Sequence, residues 1–255
     1  MFRDEFEAAS NGAVGKLALL KKNPVGYFLL SMLAGAYIGF GILLIFTIGG
    51  QLSGAPATKL VMGVSFGIAL SLVVIAGAEL FTGNNLVMAA GIIKKKVTIF
   101  DAIKLWIVCY LGNWLGSIVL VLLYNATGLA NGAVGEFMAN GALAKMSATA
   151  PQLLARGILC NMLVCLAVWC GFRCKSDSGK LIMIFWCLFA FITTGFEHSI
   201  ANMTLLTEAL INPCGVAVSM SGYFHNLLWV TLGNMIGGIA FIAIPYAYAA
   251  KEDKE

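Results

Sequence analysis

Charge is what this chain lacks most. Asp, Glu, Lys and Arg make up 11% of its 255 residues, where a soluble globular domain carries about 25%. With 60% hydrophobic residues and a mean hydropathy of +0.90, that shortage excludes a large soluble core and points to an integral membrane protein. Segments that alternate apolar and polar residues are missing too, which removes a transmembrane barrel. The seven cysteines form no C-x-x-C pair and no His–Cys cluster with metal spacing, so they read as small buried hydrophobes. No metal or cofactor is expected. There is no pair of free carboxylates, no nucleophile elbow and no soluble catalytic domain, so the chain does not read as an enzyme. The net charge of +4 is no argument for nucleic acid, because its distribution serves topology instead.

What is abundant is apolar sequence. Cutting at charges and turn residues leaves six runs, roughly 25–49, 61–92, 103–125, 153–172, 181–208 and 224–249. Each supplies the ~20 residues that cross a hydrocarbon layer of ~30 Å as helix, so the predicted class is all-α with six transmembrane helices. With both termini on one side, that side receives 13 of the 16 Lys and Arg residues and the other keeps Lys59, Lys145 and Arg156. That bias places both termini in the cytoplasm. Residues 1–22 carry Phe2, Phe6, Ala9, Ala13, Leu17 and Leu20 at helical spacing. They read equally as an amphipathic helix on the membrane surface or as a packed N-terminal helix, rather than as a signal peptide.

Two motifs occur twice. Gly77-Ala78-Glu79-Leu80-Phe81-Thr82-Gly83-Asn84 shares its Gly, Glu and Asn with Gly195-Phe196-Glu197-His198-Ser199-Ile200-Ala201-Asn202, at an offset of 118 residues. Gly112-Asn113-x-x-Gly116 returns as Gly233-Asn234-x-x-Gly237, at an offset of 121. The chain therefore reads as one membrane domain, 1–255, built from a first repeat (23–125) and a second (153–250). Residues 125–152 form the long connection between them. Three spans per repeat is an odd number, so the second copy must insert upside down. Thr82-Gly83-Asn84-Asn85 are poor helix-interior residues as a group, which predicts a non-helical break there and half-helices in spans two and five. Inverted repeats with discontinuous helices are the membrane-transport pattern.

A Glu beside a His at membrane depth marks function by its cost. Glu79 and Glu197 occupy equivalent positions, so a structural role in accepting hydrogen bonds from the broken helix is favoured for both, with Glu197 and Asn202 kept among the pore candidates. His198 has no counterpart, since Leu80 stands in its place, and it is the functional candidate. Around it Phe66, Leu70, Leu80, Phe81, Val164 and Phe191 suggest apolar constrictions. A half-helix N-terminus offers free donors to a small anion. His225 reads as an interfacial residue.

Glu79-Leu80-Phe81-Thr82-Gly83, Gly195 through Met203 and Asn226-Leu227-Leu228-Trp229-Val230-Thr231-Leu232-Gly233-Asn234 closely resemble the formate/nitrite transporter family, over nearly the whole chain. Gly35-Ala36-Tyr37-Ile38-Gly39 and Ile45-Phe46-Thr47-Ile48-Gly49 look most like its nitrite-channel branch, and the length fits that branch or the hydrosulfide channels. The resemblance implies an aquaporin-like protomer in a homopentamer, with one pore per protomer and two apolar slits around the histidine. It implies Leu70 and Leu80 at a cytoplasmic slit, and Phe66 and Phe191 at an outer one. It further implies hydrogen bonds from Thr82, on the break, and from Asn161 near His198, with Lys145 and Arg156 drawing anions into the outer vestibule. The expected substrate is a small monovalent anion of a weak acid (nitrite, formate or hydrosulfide), helped across the bilayer by His198 and possible coupling to protons. The alternative is an aquaporin- or ammonia-type neutral-solute channel. An aquaporin would carry Asn-Pro-Ala where this chain has Thr82-Gly83-Asn84 and Ile200-Ala201-Asn202.

Overall fold

The computed structural model describes residues 2–251, and every regular element among them is helical. Helix α1 is Arg3–Lys22, α2 Pro24–Gln51, α3 Thr58–Gly77, α4 Phe81–Ile93 and α5 Ile99–Ala126. The chain continues as α6 Gly132–Met146, α7 Ala150–Arg173, α8 Asp177–Thr194, α9 Ser199–Ile211 and α10 Met220–Ala249. Six of these, α2, α3, α5, α7, α8 and α10, are long and apolar enough to cross a membrane. Helices α4 and α9 have 13 residues each, too few for a crossing.

Local chemistry sets the helix starts. Asn23 accepts from Gly26 N–H ahead of Pro24, Thr98 and Asp101 cap α5 reciprocally, and Ser176 and Ser219 accept from Gly179 and Gly222. Helix α3 ends in a π-helical turn, Val73–Gly77, and Gly77 has φ +83°, a conformation costly for residues with a Cβ. Gly195 ends α8 in the same way, with φ +80°.

Helix α2 packs on α5, and α7 on α10. The repeated Gly-Asn-x-x-Gly motif makes both contacts close. A Cβ on Gly116 would lie 1.9 Å from the Met32 carbonyl oxygen, and one on Gly237 would lie 2.3 Å from that of Ile158. Gly116→Ala is therefore expected to destabilise by at least ~1–3 kcal/mol, because backbone rather than a side-chain tip must yield. Gly15→Ala, in α1 with open space around it, is expected to stabilise by up to ~1 kcal/mol through helix propensity. Thermal unfolding in detergent checks both, and equal shifts of one sign would contradict the packing argument.

Two sequence expectations change. Thr82, Gly83, Asn84 and Asn85 lie inside α4, and the non-helical residues are 78–80. Tertiary contacts outweigh their weak helix propensity, as Asn84 Nδ2 donates to Glu79 (3.0 Å) and to the Tyr27 hydroxyl (3.3 Å). The 125–152 connection also contains a helix, α6. Helix α1 is a packed helix. It buries Phe6, Ala9, Ala13, Leu17 and Leu20, lies against α4, and is tied down by Glu7–Lys96, Glu5–Arg173 and Lys21–Asp101. Helix α6 stands against α9 as α1 stands against α4.

Candidate functional site

The N-termini of α4 and α9 converge on the middle of the fold, each held by the same set of contacts. Asn113 accepts from Phe81 N–H, the first residue of α4, and donates to the carbonyls of Glu79 and Ser31. Asn234 accepts from Ser199 N–H, the first residue of α9, and donates to the carbonyls of Glu197 and Gly157. Glu79 N–H donates to Leu30, and Glu197 N–H to Arg156. The two acids then take equivalent side-chain partners. Glu79 binds Asn84 (3.0 Å) and Lys16 (2.7 Å), while Glu197 binds Asn202 (2.6 Å) and Lys145 (2.8 Å). The backbone N–H and C=O of both acids are thus satisfied by protein, as backbone at membrane depth requires.

Between the helix ends sit His198 and Thr82. Ala201 N–H donates to His198 Nδ1 (3.1 Å), so the imidazole caps α9. That bond uses the Nδ1 lone pair, so the neutral ring carries its proton on Nε2 and donates it to Thr82 Oγ1 (2.9 Å). A proton on Nδ1 would set N–H against N–H. The ring also stacks on Phe191, with centroids 6.0 Å apart.

Three voids follow one another past His198, joined by shared lining residues. A cavity of about 400 Å³ on the α1 side is walled by Lys16, Glu79, Leu70 and Leu80, and one of about 410 Å³ on the α6 side by Lys59, Lys145, Asn202, Phe191 and His198. Between them lies a space of about 10 Å³ lined by Phe66, Leu70, Leu80, Val164, Phe191 and His198, together with Ile38 and Leu188. Leu70 and Leu80 wall both the first cavity and the central space, and Phe191 and His198 both the second cavity and the central space. Phe66 meets Phe191 edge-on at 5.6 Å.

Not every sequence candidate reaches this path. Phe81 turns away and packs edge-on against Tyr110 at 5.0 Å, in a lateral groove. It follows the last extended residue, Leu80, and consecutive side chains there point to different sides. Asn161 spends its amide N–H groups on the carbonyls of Thr82 (3.3 Å) and Asn234 (2.6 Å), holding α7 to the start of α4 and to α10 rather than lining a void. The Arg156 side chain lines neither cavity, and its backbone carbonyl holds Glu197. Thr82 is in α4, one residue past its start, and not on the break. His225 Nε2 donates to the Ala148 carbonyl at 3.0 Å, fixing the start of α10, and has no charged partner among the described residues. The residue missed in the sequence is Lys16. Its distance of 129 positions from Lys145 was the available signal, but no shared motif surrounds the two.

A family model described as formate/nitrite transporter matches residues 3–248. The chain belongs to the formate/nitrite transporter family. It is 42% identical over 259 residues to the nitrite transporter NirC of Salmonella typhimurium, covering 100% of this chain and 94% of that protein. A solved FNT family ion channel superposes with a TM-score of 0.92 at 40% identity, covering 96% of this chain and 98% of the other. A pentameric formate channel with formate bound superposes at 0.79 and 32% identity, with 90% and 98% covered. As a family member this chain is a multi-pass membrane transport protein.

Proposed function

We propose that this protein is a channel for small monovalent anions of weak acids, of the nitrite, formate or hydrosulfide kind, and not an enzyme. The observation that carries this reading is that two roomy cavities share lining residues with one narrow apolar space walled by His198, whose Nε2 meets Thr82 Oγ1 behind the wall, where two helix N-termini converge. The helix ends favour negative charge and the pair supplies hydrogen bonds, so an anion that sheds water at the constriction finds replacement partners. Leu70 and Leu80 form the inner slit, and Phe66 and Phe191 the outer one, with Val164 beside them. Glu197 and Asn202 hold the second helix end, and Asn161 positions Thr82 from behind.

The doubled contact set supports two inverted three-helix repeats in which α3–α4 and α8–α9 are the broken spans. It extends the repeat to α1 and α6. The channel domain then occupies the whole chain, in a prokaryotic inner membrane, with both termini and the α1-side cavity facing the cytoplasm. The solved pentameric relative supports a homopentamer with one pore per protomer. The apolar walls favour a second reading, in which the anion crosses as its neutral acid and transport is proton-linked, since an ion is costly to desolvate there.

Swelling of proteoliposomes in iso-osmotic nitrite, formate, hydrosulfide or chloride, and shrinking in an impermeant solute, tests this function. The weak-acid anions are expected to enter several times faster than chloride, with water no faster than in protein-free liposomes. Accelerated water flow without anion entry would establish the neutral-solute alternative instead.

A further inference from the structure

The two cavities differ in their balance of charge. On the α1 side, Lys16 is matched by Glu79 at 2.7 Å. On the α6 side, Lys145 is matched by Glu197 at 2.8 Å, and a second lysine, Lys59, lines the same wall. Lys59 stands in the first turn of α3, where there is no acidic residue, and it forms no ion pair among the described residues. A matched pair presents a dipole whose field fades quickly with distance, whereas an unmatched charge is felt across the cavity.

We propose that Lys59, rather than Lys145, is the residue that concentrates anions at the α6-side mouth, and that the channel therefore passes anions asymmetrically. This inference rests on the anion-channel reading. In symmetric solutions the asymmetry concerns current amplitude only, because a passive pore carries no net current at zero voltage. Lys145 has a different task, since its ammonium satisfies Glu197 and its carbonyl accepts from Asn226 at 3.0 Å. One charge about 4–8 Å from the permeating anion changes its local concentration roughly two- to fivefold in water.

Planar-bilayer currents in symmetric sodium formate decide the matter. At an ionic strength of about 0.01 M, where the Debye length is about 30 Å, Lys59→Gln is expected to reduce formate current entering from the α6 side roughly two- to fivefold. Current entering from the other side should change less, and the difference should vanish near 1 M, where the Debye length is about 3 Å. Lys59→Cys, labelled after insertion with a cationic or an anionic thiosulfonate, varies the charge on protein that is already assembled. None of the native cysteines lines this cavity, and unmutated protein given the same reagents is the control. The cationic label should restore current and the anionic label depress it further. Equal currents for wild type and Lys59→Gln, or equal effects of the two labels, overturn the role of Lys59. Wild-type protein that passes no formate overturns the anion-channel reading itself.

Discussion

Replacing His198 with Phe is expected to cut nitrite or formate flux by roughly ten- to a hundredfold at neutral pH. The ring that would replace the imidazole fits the same apolar wall, which Phe191 already shares, but it brings no donor. A hydrogen bond to a charged partner contributes about 1.5–3 kcal/mol, and each 1.4 kcal/mol is tenfold. The substitution also leaves Ala201 N–H and the Thr82 hydroxyl without their partner, in a place where water cannot easily take over. His198→Asn separates these two consequences. Asn is a good N-cap and keeps an amide donor, so it should retain assembly and lose less flux. Flux assays in proteoliposomes, with size-exclusion profiles as the control for assembly, read out the difference. Unchanged flux in the Phe variant would remove His198 from permeation. Proton-linked uptake that persists in that variant would defeat the version in which the imidazole supplies the proton. That version must in any case disturb the cap, because an imidazolium cannot accept from Ala201 N–H.

The largest effect on stability is expected at Glu197. Its side chain is 3% exposed and accepts from both Lys145 and Asn202 through Oε2. Glu197→Ala orphans the Lys145 ammonium and takes one of two acceptors from the Asn202 amide, which keeps Asn226 Oδ1 at 2.8 Å, a loss of about 1.5–3 kcal/mol for hydrogen bonds to a charged group. Removing Lys145 as well, as Lys145→Met in the same chain, should recover part of the loss, since no uncompensated charge then remains. Glu79→Ala is expected to cost less. Its side chain is 10% exposed against 3% for Glu197, so its interactions are less shielded from water, while the partner lysines differ little at 25% and 22%. Thermal unfolding of detergent-solubilised protein ranks the three variants. Near-equal stability of Glu197→Ala and wild type would show that the pair is not what holds the α9 end in place.

The doubled motifs were legible because a broken helix makes the same demands wherever it occurs. Its backbone groups need an acid two residues before the new helix, an Asn within it, and an Asn on a neighbouring span. Those residue types at that spacing survive in Glu79, Asn84 and Asn113 and again in Glu197, Asn202 and Asn234. Lys16 and Lys145 escaped the same reasoning. A lysine side chain is long and flexible enough to reach a carboxylate from many positions, so the site imposes no local motif around it. Only the docking of α1 against α4 and of α6 against α9 makes the two lysines equivalent.

Composition, charge bias and repeated motifs by themselves determined an all-helical membrane protein with six spans, and singled out His198 by its lack of a counterpart. Hydrophobic length and unsatisfied backbone are physical requirements that leave a trace in the residues themselves. The tertiary structure alone decided which side chains meet. It turned Leu80 toward the central space and Phe81 away from it, placed Asn161 behind Thr82, fixed the proton of His198 on Nε2 by the bond from Ala201, and left Lys59 unmatched while pairing Lys145. Each of these depends on the direction a side chain takes from its backbone and on what another part of the chain brings within about 3 Å, the reach of a hydrogen bond.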